Sequence, residues 1–242
     1  MKNFWNIVNK VIEESDIILL VGDARFPEET FNRELYDKAM KRNKKFIFVL
    51  NKCDLIGKDN KPKIEVPHIF VSAQEHLSTL KLFKKIREIT NGKKAVVGVL
   101  GYPNTGKSSL INAIKGKKSA PTSPQSGYTK GLQKVKVSKD VMLLDTPGVI
   151  PYREKDTSKH VKIAVLSPSQ INDTEEAIYD LIEGYPGVIE KHYGVKSSED
   201  SEETLERIAE KFNLFKKGKT PDLMRAARMI LQDWQKGKIR FN

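Results

Sequence analysis

Gly101-Tyr-Pro-Asn-Thr-Gly-Lys-Ser108 decides how this chain is read. The stretch fits the phosphate-loop pattern GxxxxGK[ST] at every required position. Its surroundings fit as well. Ala95 to Leu100 is an apolar run that reads as a buried strand, and Ser109 to Ile114 reads as a helix leading out. Gly101 and Gly106 let backbone wrap a phosphate closely, and the helix start adds unsatisfied N–H groups and the positive end of a dipole. Lys107 is expected to reach the β- and γ-phosphates, and Ser108 to ligate Mg²⁺ through its hydroxyl. An ordinary glycine turn would not carry strand, loop, Lys-Ser and helix in register.

The other motifs choose the nucleotide. Asn51-Lys-Cys-Asp54 follows Lys45–Leu50, a mostly apolar run that reads as a strand. It has the form NKxD, in which the Asp54 carboxylate accepts two hydrogen bonds from the guanine ring N–H and exocyclic amine. Adenine presents the opposite pattern, so GTP and GDP are expected and ATP is not. Four residues alone would pass for a polar turn; beside a phosphate loop they carry weight. Ser72-Ala73 follows the short apolar stretch Ile69–Val71 and matches the loop whose backbone N–H meets the guanine oxygen. Asp145-Thr-Pro-Gly148 ends the strand Val141–Leu144 in the form DxxG. There Asp145 would hold Mg²⁺ through water and the Gly148 N–H would sense the γ-phosphate. Thr129, in the Gly/Pro/Ser-rich loop from Pro121 to Gly131, is the candidate switch threonine closing on Mg²⁺. The expected nucleotide contacts are therefore Asn51, Lys52, Asp54, Ser72, Ala73, Asn104, Thr105, Gly106, Lys107, Ser108, Ser109, Thr129 and Gly148. Lys107, Thr129 and Gly148 are expected to act in catalysis, and Ser108, Thr129 and Asp145 to hold magnesium.

The order of these motifs is unusual. Most GTPases read phosphate loop, switch threonine, DxxG, NKxD, SA. Here NKxD and SA come first, and the phosphate loop, Thr129 and DxxG follow. That is a circular permutation, which is feasible because domain termini usually lie close together at the surface. The join falls at Thr90-Asn-Gly-Lys-Lys94 and the new cut just after DxxG.

With that order, the chain resembles the circularly permuted GTPases of the YlqF/RbgA type, and an archaeal-like member among them. The resemblance rests on GYPNTGKSSLINAIKGKK, GYTKG, LLDTPGV, Asp23-Ala-Arg25 and the ending PDLMRAARMILQDWQKGK, which together span nearly the whole chain. It implies GTP hydrolysis in the service of large ribosomal subunit assembly, with a precursor subunit or its rRNA as partner. Asn104 matches the asparagine that coordinates an activating potassium ion in related GTPases; the plainer reading is a turn-stabilising Asn. Ras-like proteins place a water-orienting Gln after the DxxG glycine. Val149 stands there in this chain and cannot orient water, so intrinsic hydrolysis is expected to be slow, and stimulated by a ribosomal particle and by potassium. Bacterial members carry an N-terminal histidine suspected in catalysis, whereas no histidine precedes His68 here. The family's glycine-containing SA loop is replaced by Ser-Ala-Gln-Glu-His, which matters less because backbone makes that contact.

Length and charge frame the rest. The 242 residues accommodate a GTPase domain, placed at 1–155, and a smaller domain at 156–242. The fold class expected is α/β, a mostly parallel sheet with helices on both faces, followed by a small all-α domain. No apolar run approaches the roughly 18 residues of a membrane helix. The N-terminus lacks a signal-peptide core and the single Cys53 excludes disulfides within the chain, so a cytoplasmic protein is expected. Neither a membrane nor DNA is expected as a partner, and a monomer is expected. Net charge is +12, and its placement is uneven. Residues 1–150 carry 27 Lys and Arg against 15 Asp and Glu, whereas residues 151–242 carry 16 of each. The surplus, with clusters at Lys41–Lys45, Lys84–Arg87 and Lys115–Lys118, is suited to RNA phosphates; a solvated lysine-rich surface is the simpler account.

Helical spacing predicts helices over Phe4–Glu14, Glu28–Met40, Glu175–Ile182, Pro186–Tyr193, Glu202–Phe212 and Pro221–Gln235, the last capped by Thr220 and ended by Gly237. Asp23-Ala-Arg25 ends the first strand and reads equally as a residue set near the nucleotide or as an ion-paired turn. Val149–Lys159 reads as a second switch tethered to the helical domain, which makes the protein a nucleotide-dependent clamp. Arg225 and Arg228 are candidates for rRNA contact on that domain. The alternative reading is a GTP-gated binding module with negligible turnover, acting outside the ribosome.

Overall fold

In a computed structural model, the structure describes residues 2–57, 61–116, 132–148 and 174–241. The chain forms two compact units, Met1–Glu154 and Lys155–Asn242.

The first unit is built on a six-stranded sheet. Its strands are β1 (Ile17–Asp23), β2 (Lys45–Asn51), β3 (His68–Phe70), β4 (Ala95–Leu100), β5 (Gln133–Lys136) and β6 (Val141–Asp145). They lie in the order β3-β2-β1-β4-β6-β5. All pairs are parallel except β5 with β6. A parallel strand in the middle of such a sheet is covered on both faces, so it reads as an unbroken apolar run. β1 does: every residue from Ile17 to Asp23 is buried. Alternate side chains go to opposite faces. Ile17, Leu19 and Val21 pack with Leu82 and Ile86 of α4 (Thr79–Ile89) and Leu110 and Ile111 of α5 (Lys107–Lys115). Ile18 and Leu20 pack with Val8, Val11 and Ile12 of α1 (Lys2–Glu14) and Leu35 and Ala39 of α3 (Arg33–Lys41). Truncating any of these fully buried Ile or Leu side chains to Ala would cost about 3 kcal/mol. The outer strand β5 is short and carries Lys134 and Lys136, charges that discourage pairing with another edge.

The expected helix over Glu28–Met40 is two helices. A short α2 (Pro27–Thr30) ends at Phe31, and Asn32 starts α3 afresh by accepting from the Leu35 N–H at 3.1 Å. An Asn at that position offers a cap that competes with continuing the helix. The join at 90–94 is a turn between α4 and β4, exposed from Asn91 to Lys94, with Asn91 and Gly92 at positive φ.

The described part of the second unit is helical: α6 (Thr174–Gly184), α7 (Val188–Tyr193), α8 (Ser201–Lys211) and α9 (Leu223–Gln235). Ile178, Leu181, Leu205, Ile208, Ala227, Ile230, Leu231 and Trp234 are buried on its facing sides. The cap of α9 is Asp222, which accepts from the Arg225 N–H at 3.1 Å, and not Thr220. The helix starts later than expected because Pro221 forms a bridge with Phe215. Arg225 and Arg228 are exposed on α9. Among the described residues no helix is long and apolar enough to cross a membrane.

Candidate functional site

Because β1, β2, β3, β4 and β6 run parallel, their carboxyl ends share one edge of the sheet. From the centre, β1 leads outward to β2 and β3, and β4 leads the other way to β6. Ligands bind at such a switch point, outside the strand ends. Every motif that the described residues cover sits on this edge. Asp23 ends β1, Asn51 ends β2, Ser72 follows β3, Gly101 follows β4 and Asp145 ends β6.

The phosphate loop leads from β4 into α5. Gly106 caps that helix at φ 87° and brings no side chain to its first turn, which carries no acidic residue. The positive dipole end of a helix start favours an anion. A Cβ on Gly106 would lie 2.3 Å from Asn51 Nδ2, so the loop approaches the NKxD segment too closely for a side chain. Asn104 is exposed and sits in the left-handed region at φ 58°, a conformation Asn tolerates better than most residues. Thr105 is buried, and its hydroxyl donates to Tyr102 O at 2.9 Å, so it braces the loop. Ser109 is exposed on the first turn of α5. The Lys107 ammonium donates to Gly101 O at 3.2 Å and Tyr102 O at 2.6 Å. Burial pushes its pKa down to about 8, against the opposing charge of Asp145.

Ser108 Oγ donates to Asp145 Oδ2 at 3.0 Å. The hydroxyl and carboxylate expected to hold Mg²⁺ are therefore already together. Both are hard oxygen donors of the kind Mg²⁺ takes alongside substrate phosphates, so these two residues fit that ion. Thr146 anchors the DxxG segment by donating to Val99 O at 2.7 Å. A Cβ on Gly148 would stand 2.4 Å from the Pro103 backbone, which places this glycine against the phosphate loop. Thr129, Val149, Lys117, Lys118 and the second-switch stretch to Lys159 lie outside the described residues.

The guanine side is cross-braced. Asn51 Nδ2 donates to Thr105 O at 2.9 Å, and Asn51 Oδ1 accepts from Ala73 N at 3.0 Å. One buried side chain thus ties together the NKxD, SA and phosphate loops. The Ala73 N–H, expected to face a guanine oxygen, is engaged by Asn51. Ser72 Oγ accepts from Glu75 N, and Ser72 and Leu77 pair through their backbones, so the SA loop closes without the family's glycine. Lys52 takes a left-handed backbone at φ 62°, which costs a non-glycine residue about 1 kcal/mol. Asp54 Oδ1 is buried and makes no hydrogen bond among the described residues. A buried carboxylate oxygen without a partner is costly, and guanine's N–H donors would complete it.

The sequence reading did not foresee what holds Lys52. Asp23-Ala-Arg25 is an ion-paired turn, and it reaches into the NKxD loop: Asp23 Oδ2 lies 2.8 Å from Arg25 Nη2 and 2.8 Å from Lys52 Nζ. Burial alone would raise the Asp23 carboxyl, but the two cations and their hydrogen bonds hold it well below the usual carboxylate range. Burial lowers the Lys52 ammonium, with Asp23 acting against that. The advance signal was only that each segment follows a strand; that β1 and β2 are neighbours is seen in the sheet.

Fold and loops are those of a P-loop nucleotide-binding domain with its motifs in permuted order. The family model for 50S ribosome-binding GTPases matches residues 96–218. The chain belongs to that family. A GTP-binding protein of Methanocaldococcus jannaschii is 40% identical over 97% of this chain and 65% of its own length. Nuclear/nucleolar GTPase 2 of Arabidopsis thaliana is 33% identical over 99% of this chain, and nucleolar GTP-binding protein 2 of Saccharomyces cerevisiae 31% over 98%. The chain spans 44% and 52% of those two relatives. The GNP-bound crystal structure of YlqF from T. maritima superposes with a TM-score of 0.65 at 24% identity, covering 98% of this chain and 94% of that one. This likeness establishes the shared fold.

Proposed function

We propose that the protein is a guanine-nucleotide switch that binds GTP and GDP, hydrolyses GTP slowly and acts on the large ribosomal subunit precursor. The observation that carries the reading is the buried, unpartnered Asp54 Oδ1 in a loop fastened to the phosphate loop by Asn51. In the bound state Asp54 accepts from the guanine edge and Lys107 exchanges its loop carbonyls for phosphate oxygens. Ser108 through its hydroxyl and Asp145 through water would hold Mg²⁺, which would neutralise charge on the phosphates. Gly148, which lies against Pro103 of the phosphate loop, would follow the γ-phosphate through its N–H, and Thr129 would be the switch threonine. Loss of that phosphate releases the segments after Gly148, which lead into the helical unit.

The basic surplus on residues 1–150 supports salt-sensitive attraction to rRNA, and Arg225 and Arg228 supply a second contact. The relatives named for the nucleolus support a ribosomal partner; for this chain a cytoplasmic site of action is proposed. Val149 favours slow turnover, with Asn104 helping to hold an activating K⁺. Co-pelleting with purified large subunits is the test. Binding tighter with a non-hydrolysable GTP analogue than with GDP, and hydrolysis raised by subunits and by K⁺ over Na⁺, supports the proposal. Nucleotide-dependent binding elsewhere without turnover would favour the GTP-gated module. Equal pelleting in both states would overturn the switch.

A further inference from the structure

We infer that Asp23, seated by Arg25, is a positioning residue for base selection: its carboxylate holds Lys52 and, through Lys52, sets the orientation of Asp54. The inference deepens the guanine-nucleotide reading proposed above and rests on it.

The placement begins with strand register. Asp23 and Asn51 are partners at the ends of β1 and β2, and beyond them Ala24 N donates to Asn51 O at 2.7 Å. The loops after the two strands therefore run side by side. Within that seam both oxygens of Asp23 are used. Oδ1 accepts from the Arg25 backbone N–H and from Arg25 Nε, each at 3.0 Å. Oδ2 meets Arg25 Nη2 and Lys52 Nζ, each at 2.8 Å. The Asp23 N–H donates to Thr30 Oγ1, which fixes the backbone under the carboxylate.

A structural ion pair would be complete with Asp23 and Arg25 alone, since one carboxylate balances one guanidinium. Lys52 is a second cation on that carboxylate, and the Asp54 carboxylate also acts on it. Such an arrangement is poor for stability and good for geometry. The recruited cation belongs to NKxD, one residue from Asn51 and two from Asp54. Its backbone is in the left-handed region, where a lysine does not stay without restraint. The Leu55 N–H donates to Lys52 O at 3.0 Å, so turning Lys52 turns the short helical segment that carries Asp54. Asp23 thus fixes the loop from below while Asn51 fixes it from the side.

The test compares GDP with IDP, whose base lacks the exocyclic amine that Asp54 is set to read. The full chain is assayed as wild type, Asp23→Asn, and Asp23→Asn with Arg25→Met, the last removing the buried charge that Asn would orphan. Each is also made with Lys52→Met, and folding is checked by thermal melting. The expected result is a GDP-over-IDP preference reduced about tenfold by either Asp23 variant when Lys52 is present, and no further reduction when residue 52 is Met. A merely structural role would weaken GDP and IDP together and leave their ratio unchanged. A folded Asp23 variant that keeps the wild-type ratio, or loses it equally in both backgrounds, overturns the inference. So does failure of both Asp23 variants to fold, which would make the cluster a folding element. ADP serves as the control: if wild type shows no preference for GDP over ADP, the guanine reading itself has failed, whereas a wild-type GDP-over-IDP ratio retained in the Asp23 variants sinks only the inference.

Discussion

The two ends of the site differ in what holds them. On the guanine side the partners are permanent. Asn51 joins three loops, Cys53 N donates to Val71 O, and Lys52 is held by Asp23. Among the described residues of this side, Asp54 Oδ1 is the buried oxygen left without a partner. On the phosphate side the partners are ones a ligand would replace: loop carbonyls on Lys107, and the contact between Ser108 and Asp145. On the function proposed, base recognition is built into the fold, whereas phosphate and metal recognition would proceed by exchange. A preformed side gives selectivity at little ordering cost, and an exchanging side gives response to the state of the nucleotide.

The sharpest way to break this contrast is at the joint between the two sides. Gly106→Ala adds a Cβ 2.3 Å from Asn51 Nδ2 at a positive φ. We expect about 3 kcal/mol less stability in urea unfolding, with nucleotide binding lost even where the variant remains folded. Binding retained at wild-type strength would mean the joint is not shared.

Asn51→Ala tests the bracing itself. It leaves Thr105 O and Ala73 N without their buried partner, at a cost of about 2 kcal/mol. GDP affinity should fall by about tenfold to a hundredfold, a larger loss than the stability change alone would produce. Equal losses for GDP and ADP would show that the brace serves the phosphates only.

A smaller effect sharpens the phosphate side. The Lys107 pKa of about 8 is depressed from its ordinary value of 10.5, so the free folded protein sheds this proton between those two values while the unfolded chain keeps it. This group's contribution to ligand-free stability therefore rises with pH across that window. Bound phosphates favour the charged form and reverse the depression. Nucleotide binding should take up a proton above pH 8, and affinity should be about fourfold weaker at pH 8.5 than at pH 7. Calorimetry in two buffers of different ionisation heat reads the uptake directly. No uptake would mean Lys107 keeps its carbonyl partners when nucleotide binds.

What was legible in the sequence follows the same division. The phosphate loop, NKxD and DxxG are fixed spacings attached to apolar strands, so residues at the carboxyl edge could be placed from local pattern alone. The alternation of strand and helix signals was enough for the parallel sheet with both faces covered. The braces were not legible. Asp23 meets Lys52 only because β1 and β2 are neighbours in register, and Asn51 reaches Thr105 across 54 residues of chain. No local pattern encodes either contact. Helix ends were misread for a related reason. Asn32 and Asp222 each win a competition for backbone N–H groups that propensity does not decide, and Pro221 is held outside its helix by Phe215.

Base choice is where the preformed side stands or falls, and Asp54→Asn is the measurement. Competition binding of GDP, XDP and ADP should show wild type selecting GDP and excluding ADP. The Asn variant should lose GDP by about a hundredfold and gain XDP, because the amide presents a donor where xanthine has an oxygen. Wild type binding ADP as well as GDP, or an Asn variant with unchanged preference, would contradict the claim that the guanine pocket is already made.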